Sequence, residues 1–418
     1  MKQKALLLLG TVLLTMACLG TPQPTALPII NSAATPESVP SATPQATALP
    51  EPLGKLKIAY ILDGNVWLWD GGAPARQLTS EGDATQVKIA DDGLVIAYQR
   101  RQSLWAINTD ISSPRLLVNI PSFANPPHTL VEKSALLLGR FDFQPDTHWI
   151  YFSTAWPSRG YNVSSADLNR VDADNPIPQT LMSEGAGDFL FSPNGHLLSI
   201  TKLSEIEMRD VKSWHRVTSL GLQTTPKVAD VIQVCWASDS KGFYVFLMRT
   251  NMDEMHEYYF VSSDGSGASR LAWGYGSRER ISQPYLSPDG TKVAHVVQNG
   301  TTYELQVLNL STKENKLITS YSGAPLLVPV GWTPDSKLVI FYNSHPLFLQ
   351  IAGIGYPPTQ LTESVTPNSL RWISADRFIF FREGNLLIGQ INNPETILIA
   401  SGFSNQADTK EYDFVVSP

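Results

Sequence analysis

The sequence predicts an all-β fold, a β-propeller of four-stranded antiparallel blades, on three observations. A strand–turn–strand unit recurs at intervals of 40 to 54 residues. Two further strand signals follow most copies of that unit. The two ends of the repeat region are complementary fragments of one unit. Four short strands per repeat of this length are the mark of a propeller blade, because one such sheet cannot bury both of its faces unless neighbours stack against it in a ring.

The unit is clearest in YLSPDGTKVAHVV, Tyr285 to Val297. Pro288 fixes its own φ and Gly290 supplies the freedom a tight turn needs, between flanks that alternate in polarity. Aligning on the residue just before the turn gives Ile89, Phe143, Phe191, Trp236, Leu286, Trp332 and Trp372, with Val416 in that place near the end of the chain. The steps are 54, 48, 45, 50, 46, 40 and 44 residues, a constant unit with loops of varying length. A β-solenoid needs a shorter and steadier period, and a β-sandwich lacks such a recurring turn. The bulky residue that ends each first strand is expected to pack between blades.

The third strand of a unit is read from LWAIN at Leu104, YYFVS at Tyr258, LQVLN at Leu305 and LLIGQI at Leu386. A polar turn follows, as in Ser263-Asp264-Gly265-Ser266-Gly267. The fourth strand is read from RQLTS at Arg76, PRLLV at Pro114 and TQLTE at Thr359. The segment from Lys57 begins at a second strand, and YDFVVSP from Tyr412 is a first strand with nothing after it. The last strand should therefore close the ring by pairing near Ile58–Ile61. Seven complete repeats plus this shared one give eight blades. Seven is the alternative, if the irregular segment Asn119–Leu138 conceals a misjudged unit.

The repeats SPDGTKVAHV, SPNGHLLSIT and TPDSKLVIFY, with their LT-like outer strands, resemble the TolB-type propeller repeat, related to the WD-repeat class. The resemblance covers about Lys57 to Pro418 and implies fold more than activity. Its family includes periplasmic interaction proteins, the propeller of prolyl-oligopeptidase-type peptidases and some polysaccharide lyases. All of them use these turn residues for structure.

Ahead of the propeller region, 55–418, lie two segments of other character. Residues 1–18, MKQKALLLLGTVLLTMAC, carry Lys2 and Lys4 before an apolar run of about ten residues, too short to span a bilayer, and read as a secretory signal peptide. Its end, Leu14-Thr15-Met16-Ala17-Cys18, resembles a bacterial lipobox, which implies lipid on Cys18. Thr15 stands where Leu is usual, and Met16 is larger than the usual small residue. The alternative is an ordinary signal peptide with Cys18 near the cleavage site. Residues 19–54 are rich in Pro, Thr, Ala and Ser, without an apolar face, and read as a disordered tether.

Lys and Arg number 31 against 38 Asp and Glu, and no basic run occurs, which argues against nucleic acid. Two cysteines, Cys18 and Cys235, do not make a disulfide framework. No G-x-S-x-G elbow, H-E-x-x-H, Walker sequence, dinucleotide fingerprint or complete EF-hand loop appears, and no metal or cofactor is expected. The seven histidines, His128, His148, His196, His215, His256, His295 and His345, are scattered over the units, with His148 and His196 just after turns. Asp253-Glu254-Met255-His256-Glu257 offers possible ligands, but reads as a solvated loop. Asp172-Ala173-Asp174-Asn175 is acidic enough to meet a cation, but lacks the Gly and distal Glu of a calcium loop and reads as a solvated turn. Cys235, beside Trp236, reads as a small buried residue.

Binding is expected on irregular loops, at Asn119–Leu138, Ala155–Tyr161, Met248–Glu257 and Trp273–Ser282, on the face shared by the second-to-third and fourth-to-first connections. WPSRGY offers Trp156, Arg159 and Tyr161, and WGYGSRER offers Trp273, Tyr275, Arg278 and Arg280. Aromatics with Arg are enriched at binding hot spots. The competing reading packs Trp156 and Trp273 on their own blades. The functional expectation is a monomeric, membrane-tethered, extracytoplasmic scaffold that binds an envelope or extracellular protein, peptide or glycan without chemistry. The alternative is a lyase or glycan hydrolase with its site in the central channel.

Overall fold

The computed structural model describes residues 53–416 except 72, 111–112, 124–136, 157–163, 184–187, 203, 223–230, 249–254, 277–283, 324–326, 345–346, 364–369, 405–406 and 408–409. Blade 1 contains β1 (Leu56–Leu62), β2 (Asn65–Asp70) and β3 (Ala73–Gln77). Blade 2 is β4 (Ala84–Ile89), β5 (Val95–Arg100), β6 (Ser103–Asn108) and β7 (Arg115–Asn119), followed by one helical turn, α1 (Ile120–Phe123). Blade 3 is β8 (Leu137–Phe143), β9 (Trp149–Trp156), β10 (Ser164–Asp172) and β11 (Gln179–Met182). Blade 4 is β12 (Asp188–Phe191), β13 (Leu197–Thr201), β14 (Glu205–Asp210) and β15 (Arg216–Gly221). Blade 5 is β16 (Val231–Trp236), β17 (Gly242–Met248), β18 (Met255–Ser262) and β19 (Ala268–Gly276). Blade 6 is β20 (Tyr285–Leu286), β21 (Lys292–Asn299), β22 (Thr302–Asn309) and β23 (Asn315–Ser322). Blade 7 is β24 (Leu327–Trp332), β25 (Val339–Ser344), β26 (Leu347–Gly353) and β27 (Tyr356–Glu363). Blade 8 is β28 (Arg371–Trp372), β29 (Arg377–Arg382), β30 (Asn385–Gln390) and β31 (Asn393–Ser401), after which β32 (Tyr412–Val416) returns to blade 1.

Each sheet has four antiparallel strands, so the fold is an eight-bladed propeller. The ring closes as the end fragments required: β32 lies beside β1, from Leu56 opposite Val416 to Tyr60 opposite Tyr412. All eight aligned residues, from Ile89 to Val416, are the last residue of a blade's first strand. Strand composition follows position in the blade. Second strands lie between neighbouring blades and read almost continuously apolar, as in VIAYQR, whose first four residues are buried. Outer strands meet water on more sides; in β23, NKLITSYS, no residue is buried.

Separate apolar clusters fill the blade interfaces. Ile96 and Tyr98 meet Ile61 and Leu68 between blades 1 and 2. Phe141, Ile150 and Phe152 meet Val95 and Leu104 between blades 2 and 3. Tyr60 and Tyr412 meet Ile379 and Phe381 where blade 8 meets blade 1. Two of the aligned residues at the ends of first strands, Trp236 and Trp332, also show how packing is specified. The Trp236 indole donates to Leu190 O at 3.0 Å in blade 4, and that of Trp332 to Tyr285 O at 3.0 Å in blade 6. A buried indole N–H needs such a partner, so one side chain supplies both apolar area and register.

The turns carry the backbone signature read from the sequence. Gly93, Gly195 and Gly290 have φ of 68°, 69° and 67°, and Ser240 and Ser336 reach 60° and 58° at the equivalent position. In blade 3 the left-handed residue is Asp146, one place earlier. Turns also bond from blade to blade: Asp289 N donates to Ser336 Oγ at 3.0 Å, and Asn194 N to Ser240 Oγ at 3.2 Å.

All four of the segments read as irregular loops are partly strand. Strand β9 runs through Trp156, paired with Ser164, and β19 runs through Gly276, paired with Met255. Trp156, Trp273 and Tyr275 are therefore strand residues, not loop residues. Bulges between Met255 and Glu257 and between Ser165 and Leu168 let these long hairpins continue past the regular blade, and the aromatic residues suit extended backbone.

Candidate functional site

Two assemblies of charged groups arise from the blade geometry. The first runs along the inner strands at the axis. Arg371 of β28 is ion-paired with Asp413 of β32, whose other oxygen accepts Ile89 N at 3.0 Å. Lys88 of β4 stands 3.6 Å from Asp142 of β8, which also accepts from Arg140 at 3.1 Å. Arg140 reaches Asp188 of β12 at 3.8 Å. Cations and carboxylates thus alternate across five successive blades, from blade 8 through blade 1 to blade 4. Burial opposes ionisation of Asp413, but Lys88, Arg371 and the Ile89 N–H outweigh it and hold its carboxyl below the usual range.

The second assembly is a cleft of about 800 Å³ between blades 2 and 3, reaching the end of β32. Asp91 and Asp92 come from the first turn of blade 2, Asp146, Thr147 and His148 from the equivalent turn of blade 3, and Trp149 from the start of β9. Asp172 ends β10 and Asp174 lies in the turn that follows it, and Val415 and Val416 add apolar surface. Val416, the last of the aligned residues, is exposed.

The cleft is locally ordered by its own hydrogen bonds. Asp91 accepts Asp146 N at 2.9 Å, across the two blades. Asp92 accepts Leu94 N at 2.9 Å and Asp172 accepts Asp174 N at 3.0 Å, the short-range bonding that suits Asp to turns. His148 places Nδ1 2.6 Å from Asp174 Oδ2 and Nε2 2.9 Å from Asp92 Oδ2. Burial works against the imidazolium, but the bonds to Asp174 and Asp92 prevail and raise its pKa above the ordinary 6.5. Arg115 stands behind, donating to Ala173 O at 2.5 Å and lying 3.5 Å from Asp174. Arg170 covers the Trp149 ring at 4.7 Å. Five carboxylates against one imidazole give the cleft an electrostatic preference for cations. No group of three or more His, Cys, Asp or Glu among the described residues is arranged to hold a metal ion.

The cleft lies on the face formed by first-to-second and third-to-fourth turns, opposite the face on which the sequence analysis sought a ligand. Arg159, Tyr161, Arg278 and Arg280 lie outside the described residues, as does Cys18, and Trp156, Trp273 and Tyr275 are located only as positions in their strands. Most of the cleft's chemistry was visible one piece at a time. Asp172 and Asp174 stood out as an acidic turn, and His148 as a histidine after a turn. Nothing along the chain joins them to Asp91 and Asp92, because the joining is done by the packing of two blades.

No family model and no curated protein matches the chain. Among solved structures it is similar to a prolyl endopeptidase, at 12% identity and a TM-score of 0.52 over 76% of this chain and 50% of that one. It is similar to dipeptidyl peptidase 4 of Porphyromonas gingivalis, at 10% identity and a TM-score of 0.50 over 76% and 54%. An oligogalacturonate lyase of Vibrio parahaemolyticus aligns at 11% identity and a TM-score of 0.44 over 69% and 83%. The chain spans about half the length of the two peptidases. At these identities the likeness shows the fold alone.

Proposed function

We propose that this propeller is a non-catalytic interaction module that offers the cleft between blades 2 and 3 to a protein or peptide segment carrying Lys or Arg. The observation that carries the reading is the cleft itself: acidic walls from three turns, an apolar end at Val415 and Val416, and room for several side chains. The absence of chemistry is part of the proposal. A channel enzyme needs an acid or base with a proton to exchange near neutral pH. Asp413 is instead held below the usual carboxyl range by Lys88, Arg371 and the Ile89 N–H, and Asp142 is ion-paired with Lys88 and Arg140.

The remaining parts of the reading rest on sequence. The SPDG-type turns support kinship with TolB-type propellers. The charged, apolar and Cys-terminated run of residues 1–18 supports export and lipid attachment at Cys18, and residues 19–54 support a tether that holds a monomeric propeller outside the cytoplasm. In a Gram-negative or Gram-positive host, Cys18→Ala should abolish incorporation of a fatty-acid label, and retained label would remove the anchor.

The cleft is tested with peptides of cationic, neutral and acidic sequence, with hydrogen exchange to locate them. Cationic peptides should protect the turns at Asp91 and Asp172. Asp91→Asn/Asp172→Asn, which keep an oxygen to accept the Asp146 and Asp174 N–H groups, should weaken that protection while leaving the melting temperature near that of the parent. Equal binding of acidic peptides, or protection elsewhere on the ring, would refute the reading.

A further inference from the structure

His148 is the histidine of the cleft, and histidine is the side chain whose ordinary charge change lies near neutral pH. Both of its ring nitrogens face carboxylate oxygens, at 2.6 Å to Asp174 and 2.9 Å to Asp92. An ionised carboxylate only accepts hydrogen bonds, and only the imidazolium has two N–H groups to donate. A neutral ring must turn a lone pair toward one carboxylate. The two arms differ in reach. Asp174 belongs to the same blade as His148, whereas Asp92 belongs to blade 2, so the Nε2 contact ties the blades together across the cleft.

We propose that His148 is a proton-operated latch between blades 2 and 3, which competes with a cationic partner for Asp92 and Asp174. This rests on the reading of the cleft given above. Protonated, His148 occupies both carboxylates from within. Deprotonated, it keeps its proton on the shorter Nδ1 bond and releases Asp92, and the cleft gains one negative charge for the partner. The other charged groups around the ring set the background without substituting for it. Asp91 is engaged with Asp146 N, and Asp172 with Asp174 N. Asp146 is on the turn of His148 itself. Arg115 steadies Asp174 from β7, and Arg170 lies on Trp149. From β32 come only Val415 and Val416.

The sign follows from the raised pKa of His148. The latch is closed below the ordinary histidine value and opens as pH rises through the higher value in the folded protein. Partner affinity should rise across that same window. Linkage is reciprocal, so a partner that lowers the His148 pKa by one unit gains about tenfold in affinity between the two pH limits.

The test uses the full chain with isotope-labelled histidine, followed by NMR, and a short oligo-arginine peptide as probe. His148→Gln assigns the resonance, since a glutamine has no titration in this range. The latch requires that His148 titrate above 6.5, that Asp92→Asn lower that value, and that the peptide lower it too. Peptide affinity should climb with pH in the parent and stay flat in His148→Gln. A His148 that titrates at or below 6.5 and ignores Asp92→Asn overturns the latch. The same pH slope in parent and His148→Gln also overturns it, while leaving the cleft as a cation-binding surface. If the peptide binds neither protein at any pH, the reading of the cleft fails, and the competition fails with it.

Discussion

Asp413→Ala tests how the ring is held shut. Asp413 sits on the closing strand, almost fully buried, and its two oxygens reach two different neighbours: Ile89 N of blade 2 and Arg371 of blade 8. Alanine leaves an orphaned buried N–H, which costs about 1–3 kcal/mol. It also strands Arg371. Breaking a fully buried pair costs about 3–5 kcal/mol, but the Arg371 side chain is 30% exposed and can recover water, so the lower end of that range or less applies. A total of about 3 kcal/mol is the working figure. Unfolding entropy near 60 °C is about 2.1 cal/mol/K per residue, or roughly 0.75 kcal/mol/K for a cooperative domain of about 360 residues, so the melting temperature should fall by about 4 °C. Calorimetry of the parent, Asp413→Ala, Arg371→Leu and the double variant measures both the loss and the coupling. The double variant should recover part of the loss, because no unpaired charge remains. The pH arm has a definite sign. A carboxyl held below its ordinary value of 3.8 contributes stability above that value and loses it as pH falls through the lower folded value. The parent should therefore lose its advantage over Asp413→Asn in acid. A melting temperature within about 1 °C of the parent for Asp413→Ala, or no coupling with Arg371→Leu, refutes the reasoning.

Two further outcomes follow from the same geometry. Truncation before Tyr412 removes the inner strand of blade 1 and the Tyr412 hydroxyl bond to Ile379 O at 3.2 Å, so the protein should melt earlier and become cleavable by protease within 56–62; an unchanged melting curve would rule out closure by β32. Gly290→Ala places a Cβ against the Tyr244 ring of blade 5 at a φ of 67°, and should destabilise by about 3 kcal/mol, of which Tyr244→Ala in the same chain recovers the steric part; calorimetry showing no loss would mean that the turn relaxes freely.

The fold was legible because each blade repeats one local problem. Every first strand must end against a neighbouring blade and reverse at once. That demands a bulky residue followed by a turn with one left-handed position, and both leave marks in the sequence. Leu286 followed by Ser-Pro-Asp-Gly is the full form. Trp332 followed by Thr-Pro-Asp-Ser shows that the left-handed φ can be borne by Ser336, whose hydroxyl accepts Asp289 N of the previous blade. Strand ends were less legible. Trp156 and Trp273 fall in segments whose length reads as insertion, whereas their hairpins continue through bulges that shift pairing by a residue or more.

The cleft was illegible for a reason that also explains its composition. Asp91, Asp146 and Asp174 each look like ordinary turn residues, because Asp bonds its own backbone well. A turn repeated around a ring brings equivalent positions of adjacent blades close together, so turn acids in neighbouring blades become a shared surface. Two other interfaces place a hydroxyl at the turn contact. At blades 4 and 5 the contact is Asn194 to the Ser240 hydroxyl, and at blades 6 and 7 it is Asp289 to that of Ser336. Between blades 2 and 3 the contact is carboxylate-rich on both sides, and the left-handed residue of blade 3 has moved to Asp146, so that its N–H meets Asp91. Like charges at an interface destabilise it unless something neutralises them. His148 does so only when protonated, and a bound cation would do so at any pH. Among the described residues, this departure from the repeat sets like charges around a titratable ring, and it is the feature of the blades that supports the proposed occupant of the cleft.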